Sequence, residues 1–442
     1  MTSTTAGLTG RLAAFAVAPD LVFGDAALRI ARLSMLDWCA CTLAGVEEPV
    51  SRITRALVAD EGGTVEATVV GGGRAPARAA ALANGATSHA LDYDDTHFDY
   101  VGHPSVAVFP AALAMAERTG ASGQALLRAF LVGVESACRI GHILGTAHYQ
   151  FGFHQTSTSG SFGAAAAAAR LLGLSAEQTA HALGIAATRA SGLKSQFGTM
   201  GKPFHAGMAA ANGIEAARLA GLGFVSRPDG IDCVQGFIDT HQGEARDVEA
   251  SLAGLGRSWR FEAVQHKHHA CCHGTHAGLE ALHGLRREGL RPEEVAAVTL
   301  RVNPRWLRVC NIPSPTTGLE AKFSYRLTTA MALNGLETGA LETFSDAACA
   351  DAALIALRDR VLVEADAAIA DTAAEVIVTR TSGGTLRREH DLDRPMPAAE
   401  QAEKIEGKVI ALLGAARGQR LIETIAAIET LTARDLAGVL AG

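Results

Sequence analysis

Residues 159–174 read SGSFGAAAAAARLLGL, a run dominated by glycine, alanine and serine. Alanine is the strongest helix former, so the run predicts a helix. Small side chains let the backbone of such a helix approach a neighbouring helix closely, as happens in the middle of a bundle. We therefore expect this helix to lie at the centre of a helical bundle.

Helical patterns extend from this run in both directions. Apolar residues recur at helical spacing over residues 20–45, and Ser175 with Gln178 forms a capping box for another helix. The pattern changes at residues 295–302, which alternate as a strand does, and residues 375–390 predict a hairpin around two glycines. Helical spacing then returns. The sequence thus predicts a mainly α-helical domain and a smaller α/β domain.

The composition narrows the class of protein. The chain has 442 residues and a formal charge of −7, and it contains no long basic run, which argues against nucleic acid as a partner. Its eight cysteines are scattered in a chain too long to need a disulfide framework, which favours a reducing cytoplasm. The N-terminal apolar run is short and Asp20 follows it at once, so we expect neither a secretory signal nor a membrane span.

A second stretch, HALDYDDTHFDYVGHPS at residues 89–105, gathers four aspartates and three histidines. Charged side chains this close repel one another and are costly to bury, so a fold keeps them together mainly to bind an ion or handle protons. An EF-hand is excluded because His97 and His103 stand where that calcium loop needs glycine and glutamate. A general Asp/His metal site and an ordinary solvated loop both remain open.

Three further polar clusters follow along the chain. His154 precedes a Thr/Ser run, and Lys202 stands between glycine and proline, where its ammonium could hold a carboxylate or lie in a surface turn. The third cluster, VQHKHHACCHGTHAG at residues 264–278, has five histidines and two adjacent cysteines but lacks the HExxH glutamate of zinc peptidases. One thiol beside imidazoles could act as an acid or base, and plain buried thiols are the alternative.

These motifs resemble those of the MmgE/PrpD family, which includes 2-methylcitrate dehydratase, cis-aconitate decarboxylase and iminodisuccinate epimerase. The resemblance covers nearly the whole chain and rests on ALANGATSHALDYDDTH followed by HPS, FHQTSTSGSFGAAAAAARLLGL, GKPFHAGMAAANGIEAARLA, KHHACCHGTHAGLEAL and LEAKFSYRLTTAMAL. It implies a large helical domain from residues 1–264 and 393–442 and an α/β lid domain from residues 265–392. It also implies a homodimer and no cofactor, and we expect no metal at the site.

The resemblance further implies an active site between the two domains. Five residues match the family's active-site positions: Asp92, Thr96, His103, His154 and Lys202. The expected reaction is proton transfer at a carbon next to a carboxylate of a small di- or tricarboxylate. The imidazoles of His103 and His154 suit this task near neutral pH, and Asp92 would orient one of them or act itself. The predicted substrate ligands are Thr96, Lys202, Tyr325 and Arg326, of which the two cations would clamp the carboxylate.

The sequence departs from the decarboxylases at two positions. Cys272, with His273 beside it, stands where they carry a histidine, and Leu327 stands where they carry a tyrosine. These departures weaken the case for decarboxylation. Cys272 or His273 could supply the second acid or base that an epimerase needs on the opposite face of the carbon, which favours the epimerase branch.

Three alternatives stay open beside a cofactor-independent epimerase. The chain could be a dehydratase or other lyase of the 2-methylcitrate or cis-aconitate type. It could bind a carboxylate without turnover, or, as the weakest alternative, act as a metal-dependent hydrolase.

Overall fold

The computed structural model describes residues 7–241 and 247–441, which divide into two compact units. The first unit comprises Met1–His266 with Leu413–Gly442, and the second comprises Lys267–Leu412. The domain boundaries predicted at 264 and 393 stay a prediction. The second compact unit includes the stretch from 393 to 412, which the sequence assigned to the helical domain.

The first stretch of the first unit, which ends at His266, is almost entirely helical. Its helices and one short two-stranded ladder are α1 (Leu8–Val17), α2 (Asp25–Ala44), α3 (Pro49–Glu61), β1 (Ala67–Thr68), β2 (Arg74–Ala75), α4 (Ala77–Ser88), α5 (Pro104–Thr119), α6 (Gly123–Phe151), α7 (Gln155–Leu172), α8 (Ala176–Arg189), α9 (Gly201–Gly221), α10 (Phe237–His241) and α11 (Val248–Leu252). Helix α6 loses helical geometry at Gly145, whose φ is +62°.

Helix α7 lies at the centre of the first unit. It packs against α5, α6, α8 and α9, and its residues from Gln155 to Ala169 are all buried. A Cβ on Gly163 would come within 2.6 Å of the backbone oxygen of Gly133 in α6, so the two helices meet backbone to backbone. The central helix predicted from the small-residue run is therefore confirmed.

Helices α4 and α9 cross equally closely, and this crossing positions the loop that follows α4. A Cβ on Gly207 would come within 2.1 Å of the Leu82 carbonyl oxygen, which leaves no room for any larger residue. The loop of residues 89–103 begins about two turns after Leu82 and leads into Pro104, the first residue of α5. The acidic stretch is thus fixed between three packed helices.

The second unit combines a four-stranded sheet with short helices. Its elements are α12 (His276–Arg287), β3 (Val295–Val302), α13 (Gly318–Ala321), α14 (Tyr325–Leu333), α15 (Asp346–Ala350), α16 (Ala352–Arg358), β4 (Val361–Ala365), β5 (Ala373–Arg380), β6 (Thr385–Asp391) and α17 (Ala398–Leu413). The strands lie in the order β4-β3-β5-β6, with β3 parallel to β4 and antiparallel to β5.

The hairpin of the second unit follows its glycines. Strands β5 and β6 pair in antiparallel register from Ala373 opposite Asp391 to Thr379 opposite Thr385. Between them Gly383 and Gly384 adopt φ values of +90° and +83°, which favour glycine because it has no Cβ. The predicted hairpin and the predicted strand at Val295–Val302 are both confirmed, and α12 packs against β5 and β6.

The chain returns to the first unit with α18 (Ala415–Ala426) and α19 (Ala433–Ala441), which pack on α2 and α5 respectively. The first unit is mainly helical and the second is α/β, as the sequence predicts. Among the residues that the structure describes, no helix is long and apolar enough to cross a membrane.

Candidate active site

The loop between α4 and α5 has an unusual backbone. Asp92 and Val101 have φ values of +50° and +58°, a left-handed conformation that L-residues rarely adopt. Such a conformation costs about 1–2 kcal/mol for a residue with a Cβ, and it is least expected for a β-branched residue such as Val101. Strain of this kind collects at functional sites, where the surrounding packing holds it in place.

Asp94 is the buried centre of the loop and lies between two imidazoles. His89 Nδ1 and Asp94 Oδ1 lie 2.8 Å apart in a hydrogen bond. His103 Nδ1 lies 2.8 Å from Asp94 Oδ2. Burial alone would raise the pKa of Asp94, but the two histidines outweigh it and hold that pKa well below its usual value.

His89 is fully buried beside this carboxylate. Burial lowers its pKa to about 4, although Asp94 works in the opposite direction. His89 is therefore neutral at physiological pH. Because the ionised Asp94 carboxylate can only accept a hydrogen bond, Nδ1 of His89 carries the proton and donates it to Asp94. Within the described ranges, its buried Nε2 has no hydrogen-bond partner. The site thus keeps a neutral ring nitrogen that a substrate or a water molecule could engage.

Lys202 joins the cluster from the first turn of α9. Its Nζ lies 2.8 Å from Asp92 Oδ2, and the other oxygen of Asp92 lies 3.5 Å from His103 Nε2. The Lys202 side chain is only 16% exposed, whereas that of Asp92 is 46% exposed. Phe197 covers the ammonium at 5.5 Å from its ring centre. A partly buried cation therefore faces an imidazole across a carboxylate that is about half exposed to solvent.

His154 stands at the N-terminus of α7. Its Nδ1 lies 3.1 Å from His205 Nδ1, so one of the two rings must donate and the other accept. Burial, followed by the positive charges that His89 and Lys202 can carry, holds the pKa of His154 well below its usual value. His154 is therefore a neutral imidazole, and its ring lies 6.0 Å from that of His89, centre to centre.

Thr96 lies farther along the same loop. Its backbone pairs with Gln265 in both directions, at 2.8 Å and 2.7 Å, and its hydroxyl lies 3.4 Å from the Gln265 carbonyl oxygen. These contacts connect the middle of the loop to Gln265, one residue before the first stretch of the first unit ends at His266. The assignment of Thr96 to substrate binding stays a prediction.

Four residues of the cluster have the chemistry of metal ligands. His89, Asp92, Asp94 and His103 each offer one ligand atom, and these atoms lie within 4.8 Å of one another. The Lys202 ammonium already lies at Asp92, however, and a metal ion beside it would be repelled. We therefore expect Lys202 to be the cation of this cluster.

The cysteine and histidine predicted as catalytic lie in the second unit. Cys272 is partly buried, its N–H donates to the Lys322 carbonyl at 3.0 Å, and its thiol is hydrogen-bonded to that of Cys310. That bond, together with burial, raises the pKa of Cys310. His273 is buried, and its ring centre lies 4.7 Å from that of His276.

Tyr325 and Arg326 also lie in the second unit, at the start of α14. The Tyr325 hydroxyl donates to the Gly274 carbonyl at 2.8 Å, and burial raises its pKa. Arg326 donates from Nη1 to Asn311 Oδ1 at 2.8 Å. Both polar groups are therefore engaged within this unit, and their roles in substrate binding stay predictions.

Sequence reasoning assigned no site role to three residues of the cluster. These are His89, Asp94 and His205. Asp94 and His205 contact the predicted site residues His103 and His154 at 2.8 Å and 3.1 Å, and the ring centre of His89 lies 4.6 Å from that of His103. His89 and Asp94 belong to the acidic stretch itself, so their proximity in sequence was the available signal. His205 lies three residues after Lys202, and nothing in the sequence indicates its contact with His154.

The fold and the site define a two-domain protein. One unit is mainly helical and carries a cluster of imidazole, carboxylate and ammonium groups, and the other unit is α/β. Residues 11–249 match the MmgE/PrpD N-terminal domain, and residues 269–430 match the MmgE/PrpD C-terminal domain. The chain belongs to the MmgE/PrpD family.

Three similar proteins are named after the same activity, that of a cis-aconitate decarboxylase. The chain is 34% identical over 276 residues to the cis-aconitate decarboxylase-like protein oryM of Aspergillus oryzae, which is 59% of this chain and 57% of that protein. It is 34% identical over 275 residues to human cis-aconitate decarboxylase, 59% of this chain and 56% of the relative. The corresponding enzyme of Aspergillus terreus is 32% identical over 280 residues, 60% of this chain and 57% of the relative. The matched segment thus spans little more than half the length of these relatives.

Proposed function

We propose that this protein is a cofactor-independent lyase that moves a proton at a carbon next to a carboxylate of a small di- or tricarboxylate. The observation that carries the proposal is the run of contacts from Asp94 through His103 and Asp92 to Lys202. The names of the relatives support a lyase better than the epimerase favoured by the sequence.

Lys202 is the proposed carboxylate ligand. Removing a proton next to a carboxylate places negative charge on the carboxylate oxygens, so the transition state needs a cation already in position. The Lys202 side chain is held by Asp92 and covered by Phe197, so little conformational freedom is left to lose when substrate binds. A substrate carboxylate would share the ammonium with Asp92, or it would displace the half-exposed Asp92 side chain from the ammonium.

His103 is the proposed base. Its Nε2 lies 3.5 Å from the Asp92 carboxylate, so a substrate carboxylate bound in that place would bring its neighbouring carbon within reach of the ring. Asp94 contacts the opposite nitrogen of the ring and stabilises the imidazolium that forms when His103 takes the proton. Asp94 is a positioning residue in this proposal, because it acts through His103.

Elimination of water fits this chain better than decarboxylation. Leu327 is fully buried and carries no donor where the resemblance places a tyrosine, and Cys272 stands where it places a histidine. In a dehydration the base takes the proton, the C–O bond breaks, and an acid protonates the departing hydroxide. Cys272 or His273, predicted from the sequence as the second acid or base, is the candidate for that acid.

An epimerase of the iminodisuccinate type is the second candidate. The thiol of Cys272 favours it, since return of the proton on the opposite face needs a second acid. A protein that binds carboxylates without turnover would show neither outcome.

We further propose that the chain forms a homodimer in the cytoplasm, and light scattering of the purified protein tests the dimer.

The test is proton NMR of the purified protein in deuterated water with cis-aconitate, citrate, 2-methylcitrate and iminodisuccinate. New vinyl signals are expected from a hydroxy acid, whereas deuterium beside a carboxylate without loss of water or carbon dioxide would establish the epimerase instead. His103→Gln should abolish the change, and His142→Gln, a histidine outside the cluster, should retain it. Binding without any exchange would contradict the proposal.

A further inference from the structure

A cavity of about 410 Å³ lies in the first unit, away from the candidate active site. Its walls come from the residues after α1, the start of α6 and the end of α7. His154 and this cavity lie at opposite ends of α7, which at 1.5 Å per residue separates them by about 24 Å. The cavity is therefore separate from the candidate active site.

Two arginines, Arg128 and Arg170, line this cavity. Their guanidinium carbons lie 5.3 Å and 5.7 Å from the centre of the same aromatic ring, that of Phe23. Neither arginine forms an ion pair with any carboxylate in residues 7–241 and 247–441. Two cations thus share one ring with no anion of the described chain to balance them.

The surroundings of Arg128 and Arg170 disfavour the positive charges of these two side chains. Burial, followed by the charge of Arg128, lowers the pKa of Arg170. Arg170 donates from Nη1 to the carbonyl oxygens of Ala16 and Ala18, at 3.0 Å and 3.1 Å. These bonds fix the position of Arg170. In the part of the chain that the structure describes, the Arg128 guanidinium contacts the Phe23 ring and forms no hydrogen bond or ion pair. A pair of partly buried cations that repel each other is costly unless an anion neutralises them.

Three helix ends meet at the cavity and offset only a small part of this charge. The N-terminus of α6 contributes about half a positive charge, and the C-termini of α1 and α7 contribute about half a negative charge each, so the helix ends together add about half a negative charge. The amide of Ala125 is already taken by the side chain of Ser122, and that of Gly123 by the Leu431 carbonyl. The net charge facing the cavity comes from the two guanidinium groups.

We propose that this cavity is a binding site for a phosphate group, free or carried by a small metabolite, with Arg128 and Arg170 as its ligands. The planar guanidinium fork matches two phosphate oxygens at once, and a phosphate carries enough charge to neutralise both arginines. A cavity of about 410 Å³ has room for a phosphate with several further atoms.

The test is calorimetric titration of the full chain with inorganic phosphate, against sodium chloride at equal ionic strength. The wild type should bind. Arg128→Gln should weaken binding roughly 10- to 100-fold, because one charge-assisted fork is lost. Arg128→Lys should fall between the two, since it keeps the charge and loses the fork. Arg417→Gln removes the same charge from an exposed position of α18 and should bind as the wild type does.

A Lys202→Met variant separates this site from the candidate active site. Binding that survives in Lys202→Met and is lost in Arg128→Gln supports the proposal. Absence of binding to the wild type, or equal binding to Arg128→Gln, overturns it. A parallel titration with glycerol 3-phosphate distinguishes the sources, because binding at least as tight as that of phosphate assigns the ligand to phosphorylated metabolites, and exclusion of the ester assigns it to free phosphate.

Discussion

Replacement of Asp94 by asparagine tests the role assigned to the buried carboxylate. The substitution keeps the shape of the side chain and removes its charge. Asp94 makes two contacts of 2.8 Å, one to each of two imidazoles, and a hydrogen bond to a charged group contributes about 1.5–3 kcal/mol. The two contacts have separate consequences, since His103 is the proposed base and His89 is a neutral neighbour.

Loss of the contact to His103 should lower kcat. An imidazolium that forms during the reaction loses about 1.5–3 kcal/mol of stabilisation, which corresponds to a rate roughly 10- to 150-fold lower. Loss of the contact to His89 should lower the melting temperature. The assay is steady-state turnover of whichever carboxylate reacts in the NMR panel, with thermal unfolding followed by circular dichroism.

Asp99→Asn is the matched control. Asp99 belongs to the same loop, its side chain is 41% exposed, and it pairs with Arg260 at 2.9 Å. An exposed pair of this kind contributes at most about 1 kcal/mol to stability, and Asp99 has no contact with His103 in the described structure. Its kcat should stay within about twofold of the wild type. A folded Asp94→Asn variant that turns over within threefold of the wild type would refute the reasoning.

Other perturbations test further parts of the structure. Lys202→Met should raise KM at least tenfold for every reactive carboxylate, and an unchanged KM would remove Lys202 from substrate binding. Chelation with EDTA should leave turnover unchanged, because Lys202 is the expected cation of the cluster; loss of activity restored by a divalent metal would contradict this. Burial, with Asp37 adding to it, raises the pKa of Asp95 to about 8 from an ordinary 3.8. The folded state therefore keeps a proton that the unfolded state releases between these pH values, and stability falls as pH rises through that window. The melting temperature of Asp95→Asn relative to the wild type should increase from pH 5 to pH 8, and a constant difference would show that Asp95 does not titrate there. Gly207→Ala should lower the melting temperature sharply, because its Cβ would come within 2.1 Å of the Leu82 carbonyl oxygen.

The residue types in the sequence do not decide whether the protein is an epimerase or a lyase. Cys272 in place of a histidine favoured an epimerase, whereas relatives 32–34% identical carry the name of a decarboxylase and support the lyase alternative. Both readings use the same carboxylate ligand and the same proton transfer. The outcome depends on which bond the bound substrate aligns with the base, and one cysteine does not fix that alignment.

Local features of the fold follow from the sequence because local interactions decide them. The small-residue run forms the buried helix α7, since alanine favours helix and small side chains permit close packing. The alternating residues 295–302 form β3, and Gly383 with Gly384 forms the hairpin turn that needs positive φ. The five long motifs likewise indicate the family, because they occur together and in order.

The candidate site was only partly readable in the sequence. Asp92, His103, His154 and Lys202 were named from their motifs, and the first unit brings them close to one another. The role of Asp94 was not readable, because four aspartates stand in one short stretch and the sequence does not say which of them lies between two histidines.

The sequence by itself determined the helical and α/β character of the two parts, the family, and most of the residue types at the candidate site. Only the tertiary structure decided that Asp94 is ionised between His89 and His103, and that Lys202 reaches Asp92. It also brought Arg128 and Arg170 to one cavity without an acidic partner among the described residues. The physical reason is that charge states and pairings depend on burial and on distances of a few ångströms between distant segments, which arise only when the helices pack.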